Sequence, residues 1–321
     1  MRRALVLGAG GFIGSHLCRR LVSNGWAVTG LVRDPSDPHV SRRLAPIASD
    51  IDLTIGDAAR AEVLRPLIAQ ADVVFPFAGR SGAADSMANA AADLDANGHG
   101  QLLVLQLVHE LRPQARIVFP GSRLQYGRPK TLPVTEDHEQ TPTSIYGIHK
   151  MLGEHYHRLY ARTYGLATTV LRISNPYGPH QDRPGGRYGV VGTFLAMAAR
   201  DQVLPVYGGG RQLRDYLFID DLTELLELVA VHPAAPGEVF NASGPTATSL
   251  REMAEAVVSV VGSGTVVDAE WPGDAASVET GDYVGSWDKA ARVLGWGPTV
   301  GLDDGLHRTW AEFGAALAES T

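Results

Sequence analysis

Short apolar runs alternate with longer amphipathic stretches through the first half of the chain. Residues 4–7, 27–32, 52–55, 73–77, 116–120 and 168–173 are rich in Val, Ile and Leu with little polar alternation, as in strands buried on both faces. Between them, residues 12–24, 61–69, 88–111 and 144–164 space their apolar positions as helices do. Such alternation predicts an α/β fold built on a doubly wound parallel sheet. After Asn175 the pattern loosens. Pro176, Pro179, Pro184, Gly185 and Gly186 make a loop-rich passage, and later helices are predicted over 189–200, 220–231, 249–261 and 302–317. We therefore expect a dinucleotide-binding domain over 1–174 and a smaller α/β substrate lobe over 175–321. The boundary between them is soft, because such lobes share segments with the main sheet.

Composition narrows the class. The 321 residues are 45% hydrophobic and 20% charged, with a mean hydropathy of -0.04, enough apolar material for one large core or two fused ones. No apolar run approaches the roughly 20 residues of a bilayer-spanning helix, so no membrane partner is expected. The start, Met1-Arg2-Arg3-Ala4-Leu5-Val6-Leu7, is broken at once by glycines and reads as a strand rather than a signal peptide. One cysteine, Cys18, excludes an internal disulfide and fits a reducing, cytoplasmic location. A net charge of -7 speaks against nucleic acid as a partner. Lysine is scarce, at Lys130, Lys150 and Lys289 only, so one inside a chemical motif carries weight.

Gly8-Ala9-Gly10-Gly11-Phe12-Ile13-Gly14 lies between the first strand and the first helix. Gly8, Gly11 and Gly14, three apart, allow a tight turn that brings backbone amides and a helix N-terminus against a pyrophosphate. In this strand–turn–helix context the motif predicts a Rossmann dinucleotide site. At the end of the second strand Val32 stands where a ribose-binding carboxylate is common, and Arg33 follows it. Arg33 can pair with a 2′-phosphate or lie over adenine, or it is a solvated loop arginine. Asp57, followed by Ala58, is placed to accept from the adenine amine, or to cap a helix.

Tyr146-Gly147-Ile148-His149-Lys150 puts a phenol and an ammonium one helical turn apart, on one face. A neighbouring ammonium and an oxidised nicotinamide both favour phenolate, which makes Tyr146 a general base. Ser122, after the fifth strand, is placed to hydrogen-bond the hydroxyl being oxidised.

With these motifs in this order, the chain resembles an extended short-chain dehydrogenase/reductase of the NAD-dependent epimerase/dehydratase family, the group containing UDP-glucose 4-epimerase. The resemblance covers nearly the whole chain. It takes in the glycine turn, Phe77-Ala78-Gly79, Asn97, Ser122 with Tyr126-Gly127, Tyr146 with Lys150, Leu171 to Pro179, and Arg214-Asp215-Tyr216. It implies a tightly bound NAD, with NADP the alternative because of Arg33, and a nucleotide-sugar substrate. Cofactor contacts fall on Gly8, Gly11, Phe12, Ile13, Gly14, Arg33, Asp57, Ala58, Phe77, Ala78, Gly79, Asn97, Tyr146, Lys150 and Ile173. Substrate contacts fall on Ser122, Arg123, Tyr146, Asn175, Arg211 and Arg214: Arg214 and Arg211 match phosphate oxygens, and Arg123, beside Ser122, is expected to contact the sugar and help select it. A homodimer is also implied, packed through helices near 101–111 and 144–164.

Departures from the family pattern select among its reactions. Sugar 4,6-dehydratases resemble one another in an Asp-Glu pair after the Ser/Thr, and the decarboxylating branch tends to carry a glutamate there. Arg123 and Leu124 occupy those positions, so neither elimination nor decarboxylation is favoured. Trp271-Pro272-Gly273-Asp274 resembles the family's Arg-Pro-Gly-Asp with tryptophan for arginine, which puts one phosphate contact in doubt; packing is the default role for Trp271. His155 and His157 point to different helix faces, so no metal site is expected. His99 and His180 read as structural or loop residues, with His180 left open for its nearness to the sugar segment. Asp220-Asp221 reads as a helix start. The expectation is therefore a nucleotide-sugar epimerase acting at C4. An NADPH-dependent 4-keto-sugar reductase is the alternative, and a non-catalytic nucleotide-binding protein the third reading.

Overall fold

The six apolar runs form strands β1 (Arg3–Leu7), β2 (Ala27–Val32), β3 (Ile51–Ile55), β4 (Val73–Pro76), β5 (Arg116–Ser122) and β6 (Ala167–Ile173). Helices α1 (Phe12–Ser23), α2 (Pro38–Leu44), α3 (Ala61–Ile68), α4 (Ala83–Ala88), α5 (Ala90–Leu94), α6 (Gly100–Leu111) and α7 (Ile145–Tyr164) connect them. The computed structural model describes residues 1–181, 189–271 and 279–318. Pro184, Gly185 and Gly186, and the Pro272-Gly273-Asp274 stretch, lie outside the described residues.

After β6 come β7 (Asn175–Tyr177), α8 (Val190–Ala198), β8 (Val203–Tyr207), β9 (Leu213–Phe218) and α9 (Ile219–Val231). The chain continues through β10 (Val239–Ala242), β11 (Ala247–Ser249), α10 (Leu250–Val261), β12 (Thr265–Ala269), α11 (Asp288–Leu294) and α12 (Leu302–Ala318). Seven strands make the main sheet in the order β10-β6-β5-β4-β1-β2-β3, every neighbouring pair parallel. This is the doubly wound α/β sheet expected from the alternation. Its edge strand β10 comes from far downstream of residue 175. Two small sheets, β11-β9-β7 and β12-β8, belong to the C-terminal part. Strand order reverses between β1 and β4, and a crevice opens at their carboxyl ends.

Each sheet face buries its own cluster. One packs Leu17, Cys18 and Leu21 of α1 with Leu222, Leu225 and Leu226 of α9. The other packs Leu64 and Ile68 of α3 with Val104, Leu105 and Val108 of α6. Among the described residues no helix is long and apolar enough to cross a membrane.

The single helix expected over 88–111 is broken. Asn89, at φ -131 and ψ 48, separates α4 from α5. A π-helical turn, Asp95–His99, then joins α5 to α6. Such a turn is rare and short, and apolar spacing alone does not announce it. β5 also runs two residues past Pro120, so Ser122 ends the strand rather than following it.

Candidate functional site

The chain leaves β1 through Gly8, whose φ of +87° few other residues adopt. The amides of Gly8 and Ala9 both donate to the Leu31 carbonyl, at 3.0 and 3.1 Å, and the Gly11 amide donates to the Gly8 carbonyl at 3.0 Å. A Cβ on Gly14 would stand 2.3 Å from that carbonyl oxygen, so only glycine lets α1 start so close to the turn. Gly11 is the N-cap and supplies no side-chain acceptor, which leaves the first-turn amides of α1 open for an anion. Buried Arg43 braces the turn from behind, donating to Gly10 O at 3.1 Å and to His180 O at 2.6 and 3.0 Å. This cradle fits the diphosphate of a dinucleotide.

Gly8, Gly11, Phe12, Ile13 and Gly14 form one wall of a cleft of about 410 Å³. Phe77, Gly79, Ser122, Arg123, Tyr146, Lys150, Ile173 and Asn175 line it as well. Ala78 lies just behind, its amide 2.9 Å from where a Gly8 Cβ would be. Asn97, on the π turn, donates from Nδ2 to Arg80 O at 3.1 Å and so holds the loop that bears Gly79. Arg33, Asp57 and Ala58 lie away from this cleft. Arg33 is exposed beyond β2. Asp57 accepts from the Ala59 amide at 2.9 Å, while α3 takes Arg60 as its N-cap, so Asp57 closes a turn rather than capping the helix.

Helix α7 sets the reactive wall. Ser144 caps it, accepting from Gly147 N. Gly147 and Gly153 let it approach closely, since a Cβ on either would stand 2.5 Å from Leu124 O or 2.6 Å from the Phe119 ring. Tyr146 and Lys150 are thereby pressed against the end of β5. Lys150 Nζ donates to Pro120 O at 2.8 Å and stands 5.6 Å from the Tyr146 ring centroid. The Ser122 hydroxyl lies close enough to the Tyr146 phenol to pull it downward.

Burial pushes the Tyr146 phenol well up, against the downward pull of Ser122. It also pushes Lys150 down to about 8, with Asp93 opposing. Asp93, held by His149 at 2.6 Å, and Ser86, whose Oγ accepts from Tyr146 N at 2.9 Å, support this wall. Both belong to the broken helical region and carry no local motif.

A less obvious brace fixes Ser122. Gln125 Oε1 accepts from Ser122 N at 2.7 Å, and its Nε2 donates to Glu154 Oε2 at 2.7 Å. Arg172 clamps Glu154 at 2.9 and 2.6 Å.

At the substrate end, Arg123 Nε donates to Asn175 Oδ1 at 2.9 Å and Nη1 donates to Thr280 Oγ1 at 3.0 Å. Asn175 Nδ2 donates to the carbonyl and carboxylate of Asp215 at 2.9 and 3.1 Å. Burial raises Asp215 to about 7, with Gly285 N and Arg123 opposing. The two remaining arginines do not join this cleft. Arg214 is committed to Leu213 O, Gly281 O and Glu279. Arg211 is exposed on a separate groove of about 470 Å³ with Ser249, Arg251 and Asp268.

The other singled-out residues have structural partners. His180 pairs with Glu312 at 2.9 Å and His99 with Asp95 at 2.9 Å. His157 is buried and stacks on Phe119, whereas His155 is exposed. Asp221 accepts from the amides of Thr299 and Val300 at 3.0 Å each. Trp271 packs on Tyr207 with ring centroids 5.3 Å apart.

Residues 4–243 match the model of the NAD dependent epimerase/dehydratase family. A putative UDP-glucose 4-epimerase of Methanocaldococcus jannaschii is 30% identical over 307 residues, covering 95% of this chain and 96% of the relative. Among solved structures, the UDP-glucose 4-epimerase of Thermotoga maritima with UDP-glucose superposes with a TM-score of 0.87 at 28% identity, covering 98% of this chain and 99% of that one. The UDP-glucuronic acid 4-epimerase of Bacillus cereus, with UDP-glucuronic acid and NAD, gives 0.86 at 25% identity, covering 98% and 99%. By the family match and the likeness along its full length, this chain belongs to the NAD-dependent epimerase/dehydratase family of enzymes.

Proposed function

We propose that the protein is a nucleotide-sugar epimerase acting at C4 of a hexose through transient oxidation to the 4-keto sugar. The observation that carries this reading is the composition of the reactive wall. Ser122, Tyr146 and Lys150 converge opposite the glycine cradle, and Arg123 and Leu124 stand beside Ser122. The wall can move a proton to and from a hydroxyl, but next to Ser122 it offers no carboxylic acid for elimination. A nicotinamide cofactor, when bound, supplies the acceptor and later the donor of hydride.

The protein's own groups do the rest. Tyr146 takes the hydroxyl proton and returns it. Ser122, lining the cleft beside Tyr146, holds the same oxygen. Lys150, anchored on Pro120 O, places positive charge below the phenol and offers donors to the cofactor ribose. Main-chain amides at the start of α1 take the diphosphate. The alternative, a 4-keto-sugar reductase using NADPH, is favoured by one observation: Val32 stands where a ribose-binding carboxylate is common, and exposed Arg33 follows it. Tyr146→Phe tests the proposal. Turnover is expected to fall by about 10² or more, as when a positioned acid–base group is lost, with cofactor still bound. Near-normal turnover overturns it.

A further inference from the structure

Arg123 is a cleft cation whose bonds do not neutralise it. Of the cationic side chains lining the cleft, Arg80 is paired with Asp85 at 2.7 Å, and Lys150 is bonded to Pro120 O beside Tyr146. Arg123 donates to two neutral acceptors, Asn175 Oδ1 and Thr280 Oγ1, and lies over the Tyr283 ring at 5.4 Å. No carboxylate among the described residues lies within ion-pair distance of it. The nearby acids are otherwise engaged: Asp215 by Gly285 N and Asn175 Nδ2, and Glu279 by Arg214. By contrast the buried Arg172 is clamped by Glu154. Arg123 is half-buried; a cation partly withdrawn from water without a counter-ion carries a cost, and desolvation lowers Arg123 to about 10, with Arg214 adding to the effect.

Among the described residues the open place for a counter-ion is the cleft, and its location there limits what the anion can be. Arg123 follows Ser122 directly, and consecutive Cα atoms are 3.8 Å apart. On a pyranose C4 is flanked by C3, which bears a hydroxyl, and C5, whose carbon substituent is a carboxylate in a uronic acid; Arg123 lines the cleft beside Ser122, so an anion vicinal to the C4 hydroxyl is a carboxylate on C5. We propose that Arg123 is the counter-ion for a carboxylate on the sugar, and that the cleft takes a nucleotide-linked uronic acid in preference to the neutral hexose. This rests on the nucleotide-sugar reading above. Planar guanidinium, already oriented by Asn175 and Thr280, suits a carboxylate better than a hydroxyl.

Calorimetric titration of the cofactor-loaded protein with UDP-glucuronic acid, UDP-glucose and UDP tests the proposal, with isomer formation followed separately. The uronic acid is expected to bind at least tenfold more tightly than the hexose, as a charge-assisted hydrogen bond requires. Arg123→Gln should remove that ratio and Arg123→Lys should keep part of it. Equal affinities, binding of neither sugar, or a preference that survives in Arg123→Gln would overturn the proposal. If Arg123→Gln weakens both sugars and UDP by the same factor, the guanidinium serves the diphosphate and the proposal is wrong. Should that variant not fold, the ratio measured on the unaltered protein decides alone. A carboxylate preference without isomer formation would sink the epimerase reading and leave this one standing; isomer formation without the preference would do the reverse.

Discussion

Removing the Glu154 carboxylate should cost the fold more than any other single truncation near the cleft. Glu154 is fully buried and accepts four hydrogen bonds: two from Arg172 at 2.9 and 2.6 Å, one from Gln125 at 2.7 Å and one from Gln140 at 3.1 Å. Burial works against its charge, but Arg172 and the two glutamine amides outweigh that and hold the carboxyl below its usual range. In Glu154→Ala, Arg172 keeps its bonds to Tyr126 Oη and Glu136 O but loses its counter-ion. Breaking a buried pair from one side costs about 3–5 kcal/mol. Glu154→Gln keeps the shape and should lose roughly 1.5–3 kcal/mol, the worth of bonds to a charged group. Urea denaturation read by fluorescence gives both values, and the Arg172→Met double-mutant cycle isolates the coupling.

The carboxyl is depressed in the fold, so its contribution is complete above the ordinary carboxylate range and disappears as pH falls through the folded value. Loss of Gln125's anchor also frees the Ser122 amide, so turnover should drop in Glu154→Gln with little change in cofactor affinity. A loss below about 1 kcal/mol in Glu154→Ala, the scale of an exposed pair, would refute this reasoning.

Other expectations follow from the same geometry. Gly14→Ala forces a methyl to 2.3 Å from Gly8 O, so the purified variant should retain no cofactor by absorbance while remaining folded by circular dichroism. Burial holds His157 neutral, lowering it to about 3. The unfolded chain therefore binds its proton first, and stability should be full above about pH 6.5 and decline as pH falls from there. Denaturation midpoints between pH 7.5 and 5 should show a shallower slope in His157→Gln. The family-implied homodimer would cover Ile148 and Leu159, both exposed on α7 at 42% and 43%. Light scattering should then give a dimer that Leu159→Glu converts to monomer.

What the sequence made legible follows from where the constraints are local. A turn that must admit a diphosphate needs its glycines within one strand–turn–helix unit, and Tyr146 and Lys150 share a face because the helix period dictates it. The buried runs that became β1 to β6 needed no partner to be read. Contacts between distant segments left no such trace. Gln125 and Glu154 are 29 positions apart, and Asn241, which accepts from Tyr126 Oη at 2.7 Å, is 115 from its partner. Nothing in the β10 segment announces that it will complete a sheet begun at residue 3. Arg214, expected on the pyrophosphate, and Arg211, expected as a second phosphate ligand, lie three apart. The strand places Arg214 inward against Glu279 and leaves Arg211 in solvent. Tyr146 shows the same limit in energetic form: spacing reveals the ammonium beside it but not the burial that pushes the phenol up.

The central claim is a catalyst that oxidises and then reduces the same sugar without consuming its cofactor. Mass spectrometry of what the denatured protein releases, paired with incubation of the intact protein with nucleotide sugars and no added reductant, tests it most directly. The account predicts bound NAD or NADH and interconversion of C4 isomers with no net change in cofactor. An empty protein that consumes NADPH, and only when given a 4-keto sugar, would contradict it and give Arg33 a 2′-phosphate to hold.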